Sequence, residues 1–118
     1  MDGDIRIEPS QTSYEPGATL TAALHWNLDS APHAISVSIL WYTEGKGDED
    51  SAVVKREVFT DPGQTGTQTV RLELPRFPYS FSGKLIQLIW AIEAVVDDKH
   101  PVARTPIIIA PHAREISL

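Results

Sequence analysis

The sequence predicts an all-β chain, a two-layer antiparallel β-sandwich of seven to eight strands. Three observations predict it. Nine prolines and seven glycines punctuate 118 residues, falling roughly every ten to fifteen positions, the turn rhythm of sandwiches and barrels. Between these breaks apolar residues alternate with polar ones, the period of a strand that buries one face. The connections are of hairpin length, so neighbouring strands pair antiparallel and bury alternate residues between two sheets.

Each element follows from its residues. Residues 4–8 alternate Ile5 and Ile7 with charged neighbours until Pro9. Tyr14-Glu15-Pro16-Gly17 is a turn signal, because proline presets φ at one central position and glycine accepts φ > 0 at the next. Residues 19–28 are the cleanest strand: Leu20, Ala22, Leu24, Trp26 and Leu28 share one face, and Thr21, Ala23, His25 and Asn27 the other. In residues 34–43, Ile35, Val37, Ile39 and Trp41 alternate with Ser36, Ser38, Leu40 and Tyr42. Residues 44–50 form a polar hairpin tip. Residues 52–60 return as a strand expected to turn Val54 and Val58 inward and Lys55 and Glu57 outward. After a turn at 61–66, Val70, Leu72 and Leu74 alternate with Thr69, Arg71 and Glu73.

Residues 85–96 fit two periods. Ile86, Leu88, Trp90, Ile92, Ala94 and Val96 make one strand face; Leu85, Leu88, Ile89, Ile92 and Val96 make a helical stripe. The β-branched residues here and the strands on either side favour a strand. Asp97-Asp98-Lys99 turns the chain into residues 102–110. Pro106 lacks an N–H for the ladder and so marks an edge strand or a bulge. Residues 111–118 either add a short strand or fray. No repeat and no linker divides the chain, so one domain over 1–118 is expected.

Composition excludes several functions. With 42% hydrophobic residues the chain has enough for one core, burying roughly two-thirds of its unfolded surface. Ten Lys+Arg against 16 Asp+Glu give a net charge of −6, which argues against nucleic acid and anionic membranes as partners. The absence of cysteine removes disulfides, thiolate metal sites and cysteine nucleophiles and suits a reducing compartment. The acidic start, Asp2 and Asp4, is unlike a signal peptide, and a cytoplasmic location is expected. The apolar runs are too short to span a bilayer, so no membrane insertion is expected.

Two segments resemble arrestin-like β-sandwich domains. Ser13-Tyr14-Glu15-Pro16-Gly17 before an alternating strand is similar to the family's Y-x-P-G turn. Phe77-Pro78-Tyr79-Ser80-Phe81-Ser82-Gly83-Lys84-Leu85, running on through Trp90 to Ala94, is similar to its P-P-S-x-x-G-x-x-I-x-Y-x-I-x-A segment. They occur in the family's order. The resemblance implies an immunoglobulin/arrestin-like sandwich and a binding or scaffolding lobe without catalytic residues, as in arrestins and the related retromer subunit. The departures are plain: the length suits one lobe rather than two, and neither a polar core of Arg and Asp nor a basic phosphate-sensing patch is visible. Receptor and phosphate recognition therefore do not carry over. The immunoglobulin Cys…Trp…Cys signature is also impossible here.

No catalytic or metal constellation emerges. His25, His33, His100 and His112 are scattered singly, the last three beside prolines. Asp48-Glu49-Asp50 is a candidate Ca²⁺ cluster but lacks EF-hand spacing, and a solvated hairpin tip explains it. Asp97-Asp98 reads as a turn pair before a carboxylate dyad. Neither G-x-S-x-G nor S-x-x-K occurs, and Gly45 and Gly47 precede no helix that would hold phosphate. An enzyme is not expected, nor are cofactors or metals.

The binding candidates are Leu40, Tyr42 and Tyr79. Trp41 and Tyr42 point to opposite faces of one strand, so Leu40 and Tyr42 either form an exposed apolar surface or Tyr42 lies at the sandwich rim. Phe77 or Phe81 is expected to plug the core end and Tyr79 to face solvent. The leading reading is a non-catalytic protein-binding or scaffolding module, with an edge strand open to strand addition or a homodimer. Because Pro106 blunts one edge, the opposite edge is preferred. The alternative is a carbohydrate-binding module using Trp41, Tyr42 and Tyr79; a hydrolase accessory lobe is a third reading.

Overall fold

The computed structural model describes residues 3–46, 49–99, 102–114 and 116–117. In chain order the strands are β1 (Asp4–Pro9), β2 (Ser13–Tyr14), β3 (Thr19–Asn27), β4 (Ala34–Gly45), β5 (Ser51–Thr60), β6 (Thr65–Glu73), β7 (Phe81–Ser82), β8 (Ile86–Val96), β9 (Val102–Ile109) and β10 (Ile116–Ser117). Among the described residues seven are substantial and three are two-residue segments, so the expected count holds for the long strands. The ambiguous run is a strand, β8, and the tail adds β10.

Two sheets face each other. The smaller has the order β1-β3-β6. The larger centres on β5-β4-β8, and beyond β8 two strands share one edge: β9 along Trp90–Val95 and β7 along Gln87–Leu88. β2 then extends β9 and β10 extends β7, both in parallel. These two short pairings are the exceptions to an otherwise antiparallel sandwich.

Alternation decides what lies between the sheets. From the smaller sheet come Ile5, Ile7, Leu20, Ala22, Leu24, Trp26, Val70 and Leu72; from the larger come Ile35, Val37, Ile39, Leu88, Trp90, Ile92, Ala94, Val96, Ile107 and Ile109. Trp41, half-buried, and Phe81 pack against this core, so Phe81 is the plug and Phe77 is exposed. Each core tryptophan satisfies its indole N–H on a loop carbonyl: Trp26 Nε1 donates to Gly63 O at 3.0 Å and Trp90 Nε1 to Pro78 O at 2.9 Å. On one side the sheets are tied by Thr105, whose hydroxyl donates to Ile7 O at 3.0 Å.

The turns follow their chemistry. Gly17 takes φ +78° in the turn closed by Ala18 N–H on Glu15 O, as the Pro-Gly pair requires. Asp97 and Asp98 both have φ > 0, the primed turn that suits a hairpin. Asp97 Oδ1 also accepts from the N–H groups of His33 and Ala34, at 2.8 and 3.0 Å. The carboxylate pair thus serves as a turn.

β5 corrects the expectation. Val58 pairs with Ser36 on the outer face, whereas Lys55 and Glu57 pair with Ile39 and Val37 on the core side. Val54 is the extra residue of a bulge between the Ile39–Lys55 and Leu40–Val53 pairs. Val54 and Val58 are exposed, at 40% and 51%. The physical reason is the register with β4, which turns Val58 to the outer face and leaves Val54 in the bulge, while Lys55 on the core side of this edge strand stays exposed.

Ile92→Ala is expected to lower unfolding stability by about 2–5 kcal/mol, and Val58→Ala to change it by less than about 0.5 kcal/mol. Urea denaturation followed by tryptophan fluorescence measures both. Similar losses at the two positions would contradict the inside–outside assignment.

Candidate functional surface

The two outward faces of this sandwich differ in kind. The smaller sheet turns out Asp4, Arg6, Glu8, Thr19, Thr21, His25, Asn27, Thr65, Thr67, Thr69, Arg71 and Glu73, with Ala23 its one apolar position among the described residues. That is the polar face expected of a sheet packed on one side. The larger sheet does otherwise. Its register lays Val58, Ser36, Val95 and Val102 in one outward row and Arg56, Ser38, Glu93 and Arg104 in the next. Val53, Leu40, Ala91 and Pro106 form a third row, followed by Ser51, Tyr42 and Ile89. Val53, Val58 and Val102 are 54%, 51% and 44% exposed.

Part of this face is a groove of about 800 Å³. Leu40, Tyr42, Ala52 and Val53 supply its apolar lining, and Glu44, Glu49, Asp50, Glu93 and Arg104 its charge. Leu40 is only 6% exposed, which corrects the expectation of an exposed leucine. It lies on the outward face of a central strand, flanked by Val53 and Ala91, and forms floor rather than rim. Tyr42 is half-buried, with the Arg104 guanidinium 5.3 Å from its ring centre. Glu93 holds that guanidinium at 2.7 Å, so Glu93, Arg104 and Tyr42 make one clamp across three strands. Arg56 Nε donates to Ser38 Oγ at 3.4 Å in the same row.

Tyr79 is not part of the groove lining. It is 38% exposed in the loop before β7, where its neighbours do structural work: Pro78 O receives the Trp90 N–H, and Ser80 exchanges two hydrogen bonds with Ile109, at 2.8 and 3.0 Å. Trp41, Tyr42 and Tyr79 therefore do not form one aromatic row. Trp41 faces the core, Tyr42 lies under an arginine, and Tyr79 sits in a loop.

Glu93 and Arg104 were missed from sequence because only the β8–β9 register sets them opposite each other. The hairpin-tip reading covered Glu44, Glu49 and Asp50 without placing them at a groove. Gly47, Asp48 and His100 lie outside the described residues. Among the described residues no group of three or more His, Cys, Asp or Glu is placed to hold a metal ion, and no helix is long and apolar enough to cross a membrane.

The edges differ too. β5 carries the Val54 bulge with Lys55 and Arg56 beside it, features that blunt a sheet edge. β9 carries Pro106, and β2 covers its end at Ile108–Ile109. β6 pairs with β3 over nine residues without a register shift and has no strand on its other side among the described residues. Leu28 N–H donates to Gln64 O and Leu74 N–H to Ala18 O, so the alternation of the ladder turns the amides of Thr65, Thr67, Thr69, Arg71 and Glu73 to the open edge.

No known protein-family model or curated protein sequence matches the chain. Among solved structures, the sporulation control protein Spo0M from Bacillus subtilis superposes with a TM-score of 0.69 at 14% identity, over 95% of this chain and 51% of Spo0M. Spo0M is an arrestin-like β-sandwich, and this chain shares that fold; it spans about half of Spo0M's length. A superoxide reductase (neelaredoxin) from Ignicoccus hospitalis gives a TM-score of 0.44 at 13% identity, covering 92% of this chain and 81% of that one. The Pseudomonas fluorescens alkylpurine DNA glycosylase AlkC gives 0.39 at 11%, covering 91% and 31%. At those scores neither bears on this chain's chemistry.

A double-mutant cycle on Glu93 and Arg104 is expected to give a coupling of about 0.2–1 kcal/mol, since Arg104 remains near half-exposed and solvent screens the pair. Urea denaturation of the two single variants and the double variant measures it. A coupling well above that range would contradict the surface placement of the clamp.

Proposed function

We propose that this chain is a non-catalytic, arrestin-like β-sandwich lobe that binds a protein partner on the outward face of its larger sheet. The observation that carries this reading is the contrast between the two outward faces. Both belong to one chain under the same solvent; one is polar almost throughout, and the other sets exposed valines on either side of a single charged row. Exposed valines over a leucine–tyrosine floor are the composition of a surface that a partner covers. The charged row that crosses this face supplies orientation more than affinity. The cysteine-free composition supports a reducing, cytoplasmic setting.

The test uses immobilised chain against extract of the source organism, with retained proteins quantified by mass spectrometry. Val53→Glu and Val102→Glu each place a charge on the apolar face at exposed positions, and Thr67→Glu does the same on the polar face. Proteins retained by wild type and by Thr67→Glu are expected to fall at least about tenfold with the valine variants. Equal retention by all variants, or loss with Thr67→Glu, would contradict the reading.

Strand addition is the second reading, favoured by β6 rather than by the edge opposite Pro106. Thr69→Pro removes an outward N–H while leaving the β3 ladder intact. If β6 mediates a homodimer, light scattering will show a dimer for wild type and a monomer for this variant. A wild-type monomer at the highest soluble concentration would exclude it.

A further inference from the structure

We infer that the groove on the larger sheet takes an extended peptide segment that presents an apolar side chain and, further along the same side, a lysine or arginine. This deepens the proposed partner-binding function and rests on it.

The argument begins with β4. Leu40, Tyr42 and Glu44 follow one another at intervals of two, so they share the outward face at about 6.6 Å per step. The groove floor therefore reads apolar, aromatic, acidic along one strand. Glu49 and Asp50 stand beside Glu44 at the acidic end. Glu44 and Glu49 are exposed, and neither has an ion-pair partner among the described residues. At the other side the arginine of the clamp is already neutralised by Glu93 at 2.7 Å. The uncompensated charge of the groove is thus negative and confined to one end. An extended chain has the same two-residue repeat as the strand beneath it, so alternate side chains fall over successive β4 positions. An apolar side chain over Leu40 and Val53 and a cation between Glu44 and Glu49 match the groove in order. An acidic or phosphorylated segment would meet like charge at that end.

Fluorescence anisotropy with three labelled synthetic peptides tests this. The first carries two valines and two lysines at alternate positions among serines; in the others glutamine or glutamate replaces lysine. The lysine peptide is expected to bind best, the glutamine peptide more weakly and the glutamate peptide not at all. Binding of the lysine peptide is expected to weaken as salt shortens the Debye length. The Glu44→Gln/Glu49→Gln double variant is expected to bind the lysine peptide at least about fivefold more weakly. An Asp4→Asn/Glu8→Gln variant, with the same change in net charge on the polar face, is expected to bind it as wild type does.

Equal loss with both double variants would overturn the inference, because it would show attraction to overall charge. Equal binding of the glutamine and lysine peptides would overturn the cation assignment while leaving the apolar face as the docking surface. Failure of all three peptides would overturn the peptide groove. The valine variants against cell extract would then still decide whether a folded partner uses this face.

Discussion

The antiparallel ladder between β4 and β8 sets the inside and the outside of this molecule. It runs through eleven consecutive pairs, from Ile35–Val96 to Gly45–Ile86. Side chains on a strand alternate, so one register assigns every residue of both strands to a face, and a slip of one residue would exchange the two sets. In the observed register Ile35, Val37, Ile39, Trp90, Ile92 and Ala94 are fully buried. Reversing it would put serines into the core. The same ladder places Leu40 beside Ala91 and Tyr42 beside Ile89 on the opposite face. The apolar surface and the core thus come from a single pairing. Leu40 and Ala91 are buried on that face by their flanking strands, and the apolar area left in water comes from Val53, Val58 and Val102 of β5 and β9 on either side.

Much of this was legible in the sequence, because alternation reports directly on strands with one wet face. Leu20 to Leu28, Val70 to Leu74 and the even positions of β8 were all assigned correctly. The failures share a cause. Alternation reveals which residues share a face but not whether anything lies opposite. At β5 the pattern suggested a buried valine pair, yet the register with β4 turns Val58 outward and the bulge at Val54 shifts the parity of the strand. Leu40 was placed on the right face but with the wrong exposure, since depth between flanking strands is a property of the sheet. The Tyr42–Arg104–Glu93 clamp joins three strands and left no local signal.

The residues behind the family resemblance are explained by the fold. Tyr14 is buried, its hydroxyl accepts from Gln11 N–H at 3.1 Å, and its carbonyl accepts from Ala110 N–H. Gly17 makes the turn into β3. Pro78 offers its carbonyl to Trp90, and Ser80, only 1% exposed, bonds both backbone groups of Ile109. These contacts fasten loops to sheet ends. A short signature can therefore identify a sandwich while carrying no information on what the sandwich binds, which depends on the surface of each lobe.

The most direct test of the central claim is amide chemical-shift mapping of the labelled chain during titration with a retained partner protein. Shift changes concentrated at Leu40, Tyr42, Val53, Glu93 and Arg104, with β3 and β6 silent, are the predicted result. Changes centred on the threonine-rich face of β3 and β6, with the larger sheet unaffected, would contradict the account.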